Sequence, residues 1–343
     1  MQPYDFAALK RNFEDKRYAC CFLALKEVKS LLKQDPMQAV LLAKIAWQAG
    51  NTRLERSLWR WGTYKYPDNV EMLCGLANAY QFAKRLVDAK SLLERAAQLV
   101  ADDQERGKVW RQKCVLFSQM RLFTSAERCL QRAKETLGPD EVLNEEGYYL
   151  LLQERIPESA ACFQKAILAD SGRENTYPMM ASLKTLEQDW VGAAQWLSAG
   201  LQQSPQSPQI LYYFATIQWL LGENDAFEDS IAKIMELSPE AEFIPALNWL
   251  QGINAYRRED WSGAKETFSK SLAPGEKSFV PNLSTWNIDV PWDRVSLTLN
   301  PQIQRHNHCV PCAVSIILDY YGISVDQWEI GQGMMDAEGT PMH

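Results

Sequence analysis

Apolar positions recur along the chain with a period of 34 residues. Pro205 and Pro239 each end a stretch in which apolar residues have helical spacing, "AAQWLSAGLQQSP" and "EDSIAKIMELSP". A column of small residues and a column of bulky residues keep the same period: Gly147, Ala181 and Ala215, and Phe163, Leu197 and Ile231. Three columns with one period predict a series of similar helical hairpins.

The residue types in these columns suit two antiparallel helices. Small side chains let the helices approach closely, and bulky side chains fill the gap to the neighbouring hairpin. Proline after the second helix ends it, because its ring cannot continue the helical hydrogen bonds. With small insertions the period extends to other small residues: Ala43, Ala77, Cys114 and Gly252. Glu55 is an exception, since it stands where a small residue is preferred.

The pattern resembles the tetratricopeptide repeat over residues 4–274, about four-fifths of the chain, with about eight hairpins of which the first is the most degenerate. This resemblance implies a mostly α fold, an α-solenoid whose concave face binds a peptide, a helix or another protein. The aromatic stretch 57–67 is either part of such a binding surface or, as we favour, packing between hairpins.

The helical pattern stops after Pro274. Residues 275–301 contain Pro281, Pro291 and Pro301 and have no apolar stripe at helical spacing, which predicts a proline-rich linker. The stretch "RVSLTL" alternates well enough to form a short strand within it. A new unit is predicted over residues 302–343.

That unit contains a predicted helix, "CVPCAVSIILDYYG". Pro311 is acceptable in a first helical turn, and Gly322 suits the position after a helix end. Cys309 therefore lies at the helix N-terminus, where free amide donors and the helix dipole favour the reactive thiolate.

Two alternative interpretations of this stretch involve a metal or a redox pair. A zinc site would use His306, His308, Cys309 and Cys312, but all four crowd onto one short segment, whereas structural zinc usually joins separated segments. A redox dithiol would use Cys309 and Cys312, but thioredoxin needs a sheet around its C-x-x-C motif, and the sequence before Cys309 is poor in strand signals. We expect no metal and no cofactor.

A third interpretation accounts for more residues. The stretch "QRHNHCVPCAVSIILDYYG" resembles the start of the papain-like cysteine peptidases that remove double-glycine leaders from bacteriocins. The resemblance implies that Cys309 is the nucleophile and that the side-chain amide of Gln304 stabilises the oxyanion. It also implies that residues 302–343 are the N-terminal part of a papain-like α+β domain.

The stretch departs from the family pattern in three respects. Gln304 lies five residues before Cys309, a slightly shorter gap than in papain, so Gln302 is the alternative oxyanion residue. Val310 replaces a glycine beside the nucleophile, and Cys312 replaces an alanine. A peptidase of this class also needs a histidine base. His306 and His308 are too close to Cys309 in sequence, and His343 is the last residue. We therefore expect the histidine to lie in a longer protein; otherwise the segment is inert and the protein is an interaction scaffold.

Composition limits the other functional classes. The net charge of −7 gives no reason to expect a nucleic acid or an anionic membrane surface as partner. Met1 to Lys16 does not resemble a secretory leader, and no apolar run approaches the roughly 18–20 residues of a membrane span. Six cysteines in helical patterns look like buried apolar residues, which predicts a reducing compartment, the cytoplasm. The expected function is a protein- or peptide-binding scaffold joined to a cysteine peptidase segment.

Overall fold

The structure is a computed structural model that describes residues 5–34 and 36–271. Within these ranges the regular elements are helices and there is no strand. The first helices are α1 (Phe6–Glu14), α2 (Tyr18–Phe22), α3 (Val28–Gln34), α4 (Ala39–Gln48), α5 (Thr52–Lys65), α6 (Val70–Phe82), α7 (Leu86–Leu99), α8 (Asp103–Gln119) and α9 (Phe123–Leu137). The others are α10 (Leu143–Leu151), α11 (Ile156–Ala169), α12 (Thr176–Leu186), α13 (Trp190–Gln203), α14 (Pro208–Leu221), α15 (Asn224–Leu237), α16 (Ile244–Arg257) and α17 (Trp261–Lys270).

The described residues form two compact units. The first unit comprises residues 5–34, 36–62 and 190–271, and the second comprises residues 63–189. The predicted linker 275–301 and the predicted α+β unit 302–343 lie outside the described residues, so both stay predictions.

A turn of one kind joins the two helices of each hairpin. The main-chain N–H of Arg85, which caps α7, donates to the carbonyl of Tyr80 over 2.8 Å, and Lys84 before it has a φ of 59°. Eight such turns occur in the described residues, with donors Arg17, Asn51, Arg85, Leu122, Arg155, Asp189, Glu223 and Asp260. This count agrees with the number of hairpins that the sequence predicts.

Side chains in the two predicted columns are buried. Ala77, Ala181 and Ala215 of the small column are at most 4% exposed, and Phe163 and Leu197 of the bulky column are fully buried. Ala77 and Ala215 belong to apolar clusters that join consecutive hairpins, one cluster in each unit. Because one hairpin cannot cover its own apolar face, the stacking of neighbours supplies most of the core.

Phe163 makes a contact that the sequence prediction did not include. A Cβ atom added to Gly147 would lie 2.6 Å from Cε1 of Phe163, so the ring occupies the space that glycine leaves open in the same hairpin. The pair Gly252 and Phe268 repeats this arrangement, with 2.5 Å between the corresponding atoms. The glycines therefore serve close packing between α10 and α11 and between α16 and α17.

In the first unit, the α4–α5 turn packs against the turns of the later hairpins. The carbonyl of Trp47 accepts from Gln209 Nε2 over 2.8 Å, and the carbonyl of Ala49 accepts from Ser238 Oγ over 2.6 Å. Gly50 has a φ of 72°, and a Cβ there would lie 2.5 Å from the ring of Phe243. Only glycine satisfies both the backbone conformation and the close approach.

Glu55 lies beside this contact, in the first turn of α5. It is 2% exposed, and Trp59 Nε1 donates to its Oε1 over 3.0 Å. Burial is the main cause that raises the pKa of Glu55 to about 7; the charge of Glu242 adds to the shift, and the Trp59 hydrogen bond and Arg56 oppose it. Glu55, which stands on the second helix where a small residue is preferred, is thus a buried carboxyl group with a pKa near neutral pH.

We expect Phe163→Ala to lower the free energy of unfolding by about 3–5 kcal/mol, because it removes a fully buried ring and leaves a cavity. Leu168→Ala on the same helix removes a side chain that is 86% exposed, and it should change stability by less than about 0.5 kcal/mol. Urea denaturation of both variants measures the difference. Equal losses would show that the bulky column does not form the core.

The proton on Glu55 makes stability depend on pH. Since the folded-state pKa is raised from 4.5 to about 7, the free energy of unfolding should fall by about 3 kcal/mol as the pH rises through that interval. Below pH 4.5 both states hold the proton; above pH 7 the folded state bears the full cost of a buried carboxylate.

Glu55→Gln keeps an acceptor for Trp59 and should remove this component of the pH dependence. Urea denaturation between pH 4.5 and 8 should show the variant gaining stability over the wild type as the pH rises. The exposed Glu236→Gln serves as the control and should follow the wild type. The same pH profile for all three proteins would contradict a protonated Glu55.

Candidate binding surfaces of the second unit

One side of α8 carries four polar side chains and one valine that do not enter the apolar clusters. Lys108, Arg111, Gln112, Val115 and Gln119 recur three or four residues apart and are half-buried or exposed. The opposite side of α8 packs on α9 through Cys114 and its neighbours. We call these five residues, together with Asn144, Glu145 and Tyr148 of α10, the first-helix face.

Contacts between α8, α10 and α12 hold this face together. Arg111 Nε lies 3.3 Å from Glu145 Oε1, and Gln119 Nε2 donates to the hydroxyl of Tyr148 over 3.4 Å. Asn144 Oδ1 accepts from Thr176 Oγ1 over 2.9 Å. Neighbouring first helices are therefore linked by polar side chains that remain partly open to solvent.

Electrostatics keep the first-helix face mostly neutral. Burial raises the pKa of Glu145, and the Arg111 guanidinium opposes that shift. Burial also raises the pKa of Tyr148, so its hydroxyl remains protonated at neutral pH. Neutral amides and hydroxyl groups provide both donors and acceptors, which is the chemistry that main-chain peptide groups require.

A second feature of this unit is a cavity of about 440 Å³, which we call the second-helix groove. It lies between α9 and α11, which are second helices of their hairpins, and residues of α10 also line it. Its apolar lining includes Leu130, Tyr149 and Leu150, while charged side chains of α9, α10 and α11 line the rest. The groove and the first-helix face involve different side chains.

The six cysteines of the described residues are free thiols. Cys21, Cys74 and Cys114 are buried, as the sequence predicts. Burial raises the pKa of Cys21 to about 11 and that of Cys74 and Cys114 to about 12, so these thiols are protonated at neutral pH. The prediction was wrong for Cys20, which is exposed, and Cys162 is half-buried. In the part of the chain that the structure describes, no group of three His, Cys, Asp or Glu side chains could hold a metal ion.

The residues of the predicted peptidase site lie outside the described residues. This applies to Cys309 and Gln304 and to the alternative zinc and redox ligands, His306, His308 and Cys312. Their roles therefore stay predictions. The aromatic residues of the stretch 57–67 differ in exposure. Trp59 is buried, which agrees with packing between hairpins, whereas Tyr64 is 81% exposed.

Sequence reasoning missed the first-helix face because its columns were chosen for burial. A usable signal exists at fixed offsets from the small column. Arg111 and Asn144 stand three residues before Cys114 and Gly147, and Val115 and Tyr148 stand one residue after them. These offsets place side chains beside the buried stripe of the helix, not within it.

No protein-family model matches this sequence, and no curated protein sequence matches it. Several solved structures are similar in fold. A monomeric mutant of IFIT1 with Gppp-AAAA matches with a TM-score of 0.53 at 11% identity, covering 77% of this chain and 66% of that one. The residues that the structure describes fold as an α-solenoid of tetratricopeptide-like hairpins.

Two further structures are similar at lower scores. A tetratricopeptide repeat protein from Parabacteroides merdae ATCC 43184 has a TM-score of 0.42 at 14% identity, covering 69% of this chain and 92% of that one. PilF from Pseudomonas aeruginosa has a TM-score of 0.36 at 17% identity, covering 59% of this chain and 91% of that one.

The helices of the described ranges give no candidate for a membrane span, because none combines the necessary length with sufficient apolar character.

Proposed function

We propose that the protein is a repeat scaffold that binds a peptide or a protein segment on the first-helix face. The observation that supports this proposal is the row of half-buried polar side chains on α8 and α10. These groups do not stabilise a buried core, because each polar atom removed from water costs free energy unless it finds a hydrogen-bond partner. A bound peptide would supply partners through its own N–H and C=O groups.

The charge of the face supports a peptide over a strongly ionic ligand. The first-helix face has two cations. Arg111 is paired with Glu145, and Lys108 forms no ion pair with another described residue. An acidic chain with little uncompensated positive charge on this surface is poorly suited to the phosphate backbone of a nucleic acid. Hydrogen bonding and the apolar contact of Val115 are left as the main means of recognition.

Selection from a random peptide library tests this function. Peptides selected on the wild type should lose about tenfold or more in affinity for Val115→Arg, because the new side chain adds bulk and charge at the centre of the face. Val87→Arg is the matched control, since Val87 belongs to the same unit but is 72% exposed on a second helix. Circular dichroism checks that both variants are folded.

Two results of the selection would overturn the proposal. One is a library from which no peptide is selected. The other is a set of selected peptides that bind Val115→Arg and Val87→Arg equally well.

We also propose that the segment 302–343 provides a cysteine nucleophile, Cys309, with Gln304 as the oxyanion donor. The resemblance of "QRHNHCVPCAVSIILDYYG" to bacteriocin-leader peptidases supports this, as does the predicted place of Cys309 at a helix N-terminus. The scaffold would then hold a substrate or a partner near the thiol. The alternative is a scaffold whose peptidase-like segment is inert.

Alkylation by iodoacetamide at pH 7, followed by mass spectrometry, separates these possibilities. An activated Cys309 should react at least about tenfold faster than free cysteine, because only the thiolate attacks. Cys309→Ala should abolish the fast reaction, and Cys312→Ala, the matched control, should retain it. Equal and slow reaction of both thiols would contradict an activated nucleophile, and a stoichiometric zinc content would favour the metal alternative.

A further inference from the structure

The hairpin of α8 and α9 carries three basic side chains that have no acidic partner. Lys113 lies on α8, and Arg128 and Arg132 lie one helical turn apart on α9. None of the three forms an ion pair with another described residue, whereas Lys134 on the same helix pairs with Glu146 over 2.6 Å. Positive charge is therefore concentrated locally in a chain whose net charge is −7.

The ring of Trp110 on α8 holds two of these cations near each other. Lys113 Nζ lies 5.1 Å from the ring centroid and Arg132 Cζ lies 4.6 Å from it, both within the range of a cation–π contact. Arg128 precedes Arg132 by four residues, so it lies on the same side of α9. Both arginines are exposed, and Lys113 and Trp110 are half-buried. We call Trp110, Lys113, Arg128 and Arg132 the cationic patch.

The buried thiol of Cys129 responds to the charge of this patch. Burial raises the pKa of Cys129, and the charges of Lys113, Arg132 and Arg128 all oppose that rise. Among the described residues, the charged side chains that act on this thiol are all cations. The thiol of Cys162 in the next hairpin responds to acidic and basic side chains together. The positive charge of the patch is therefore not compensated within the described part of the chain.

This arrangement is unfavourable for the protein alone. Arg128 and Arg132 are like charges at positions i and i+4, which destabilise a helix, and Trp110 holds Lys113 close to Arg132. A carboxylate that approaches the patch is attracted by more than one cation, and it also reduces the repulsion among them. The patch therefore favours an anionic ligand.

We propose that the cationic patch binds an acidic segment of a partner protein, a peptide in which two or more Asp or Glu side chains lie close together in sequence. Its carboxylates accept hydrogen bonds from the guanidinium groups of Arg128 and Arg132, whose planar N–H donors match carboxylate geometry. Lys113 contributes a further positive charge from α8.

A nucleic acid fits the patch less well than an acidic peptide. Proteins whose affinity for DNA depends strongly on salt make about 6–10 phosphate contacts, whereas the patch offers three cations in an acidic chain. Unpaired bases also need an open aromatic face on which to stack, but Trp110 is half-buried and has Lys113 and Arg132 at its ring. The patch shares no residue with the first-helix face, so it can be tested separately.

Fluorescence anisotropy with two labelled peptides tests the proposal on the 343-residue chain. One peptide has four Glu residues in a Gly-Ser background, and the other has Gln at the same four positions. At low ionic strength the wild type should bind the Glu peptide at least about tenfold more tightly. The double variant Arg128→Glu/Arg132→Glu should lose this preference. Because both side chains are exposed, it should fold normally, which circular dichroism checks.

The matched control is Lys84→Glu/Lys165→Glu. It makes the same change in net charge on exposed residues of the same unit that lie outside the patch. This variant should keep the preference for the Glu peptide, which separates a local site from an effect of the overall charge.

Four results would overturn the proposal. Two are the absence of a preference in the wild type and an equal loss of the preference in both double variants. A third is displacement of the Glu peptide by a single-stranded oligonucleotide at a lower concentration than by the unlabelled peptide, which would assign the patch to a nucleic acid. The fourth is a dimer of the wild type in sedimentation that Arg128→Glu/Arg132→Glu dissociates, which would assign the patch to a second copy of this chain.

Discussion

The fold depends on the turn that brings the second helix of each hairpin back along the first. A main-chain N–H donates to the carbonyl five residues earlier, and the residue before that donor has a positive φ. Glycine adopts this conformation freely, but only Gly50 and Gly222 of the eight residues are glycines. The six others have side chains, so each turn carries a cost of about 1–2 kcal/mol. Burial of the helix faces that the turn brings together offsets this cost.

Burial between consecutive hairpins then sets the residue types. Gly147 and Phe163 form one complementary pair, in which the absence of a side chain on one helix makes room for a ring on the other. Glu55 departs from the small residue preferred at its own position on the second helix of its hairpin. Its carboxyl is buried, accepts from Trp59, and has a pKa raised by burial. At the corresponding position of other hairpins a small residue provides only close packing, whereas Glu55 makes the free energy of unfolding depend on pH.

The second unit presents two chemically different surfaces because each helix of a hairpin exposes a different side. The first-helix face is mostly neutral, with Arg111 and Glu145 compensating each other and Tyr148 accepting from Gln119. The second-helix groove is lined mainly by charged side chains, four of which form two ion pairs. The two surfaces therefore differ in the chemical groups that they offer, mostly neutral polar groups on the first-helix face and mostly charged groups in the second-helix groove.

The sequence by itself determined the hairpins, because burial between consecutive helices repeats every 34 residues and therefore appears as columns. The roles of Cys309 and Gln304 rest on a different signal, the resemblance of a local motif to a peptidase family, and they stay predictions. The packing of Gly50 against Phe243 was not predictable, because it joins residues almost 200 positions apart and occurs once, outside any period. The second-helix groove was also decided by the tertiary structure. Its charges are separated in sequence, and only the packing of α9, α10 and α11 determines which of them are neutralised and which remain unpaired.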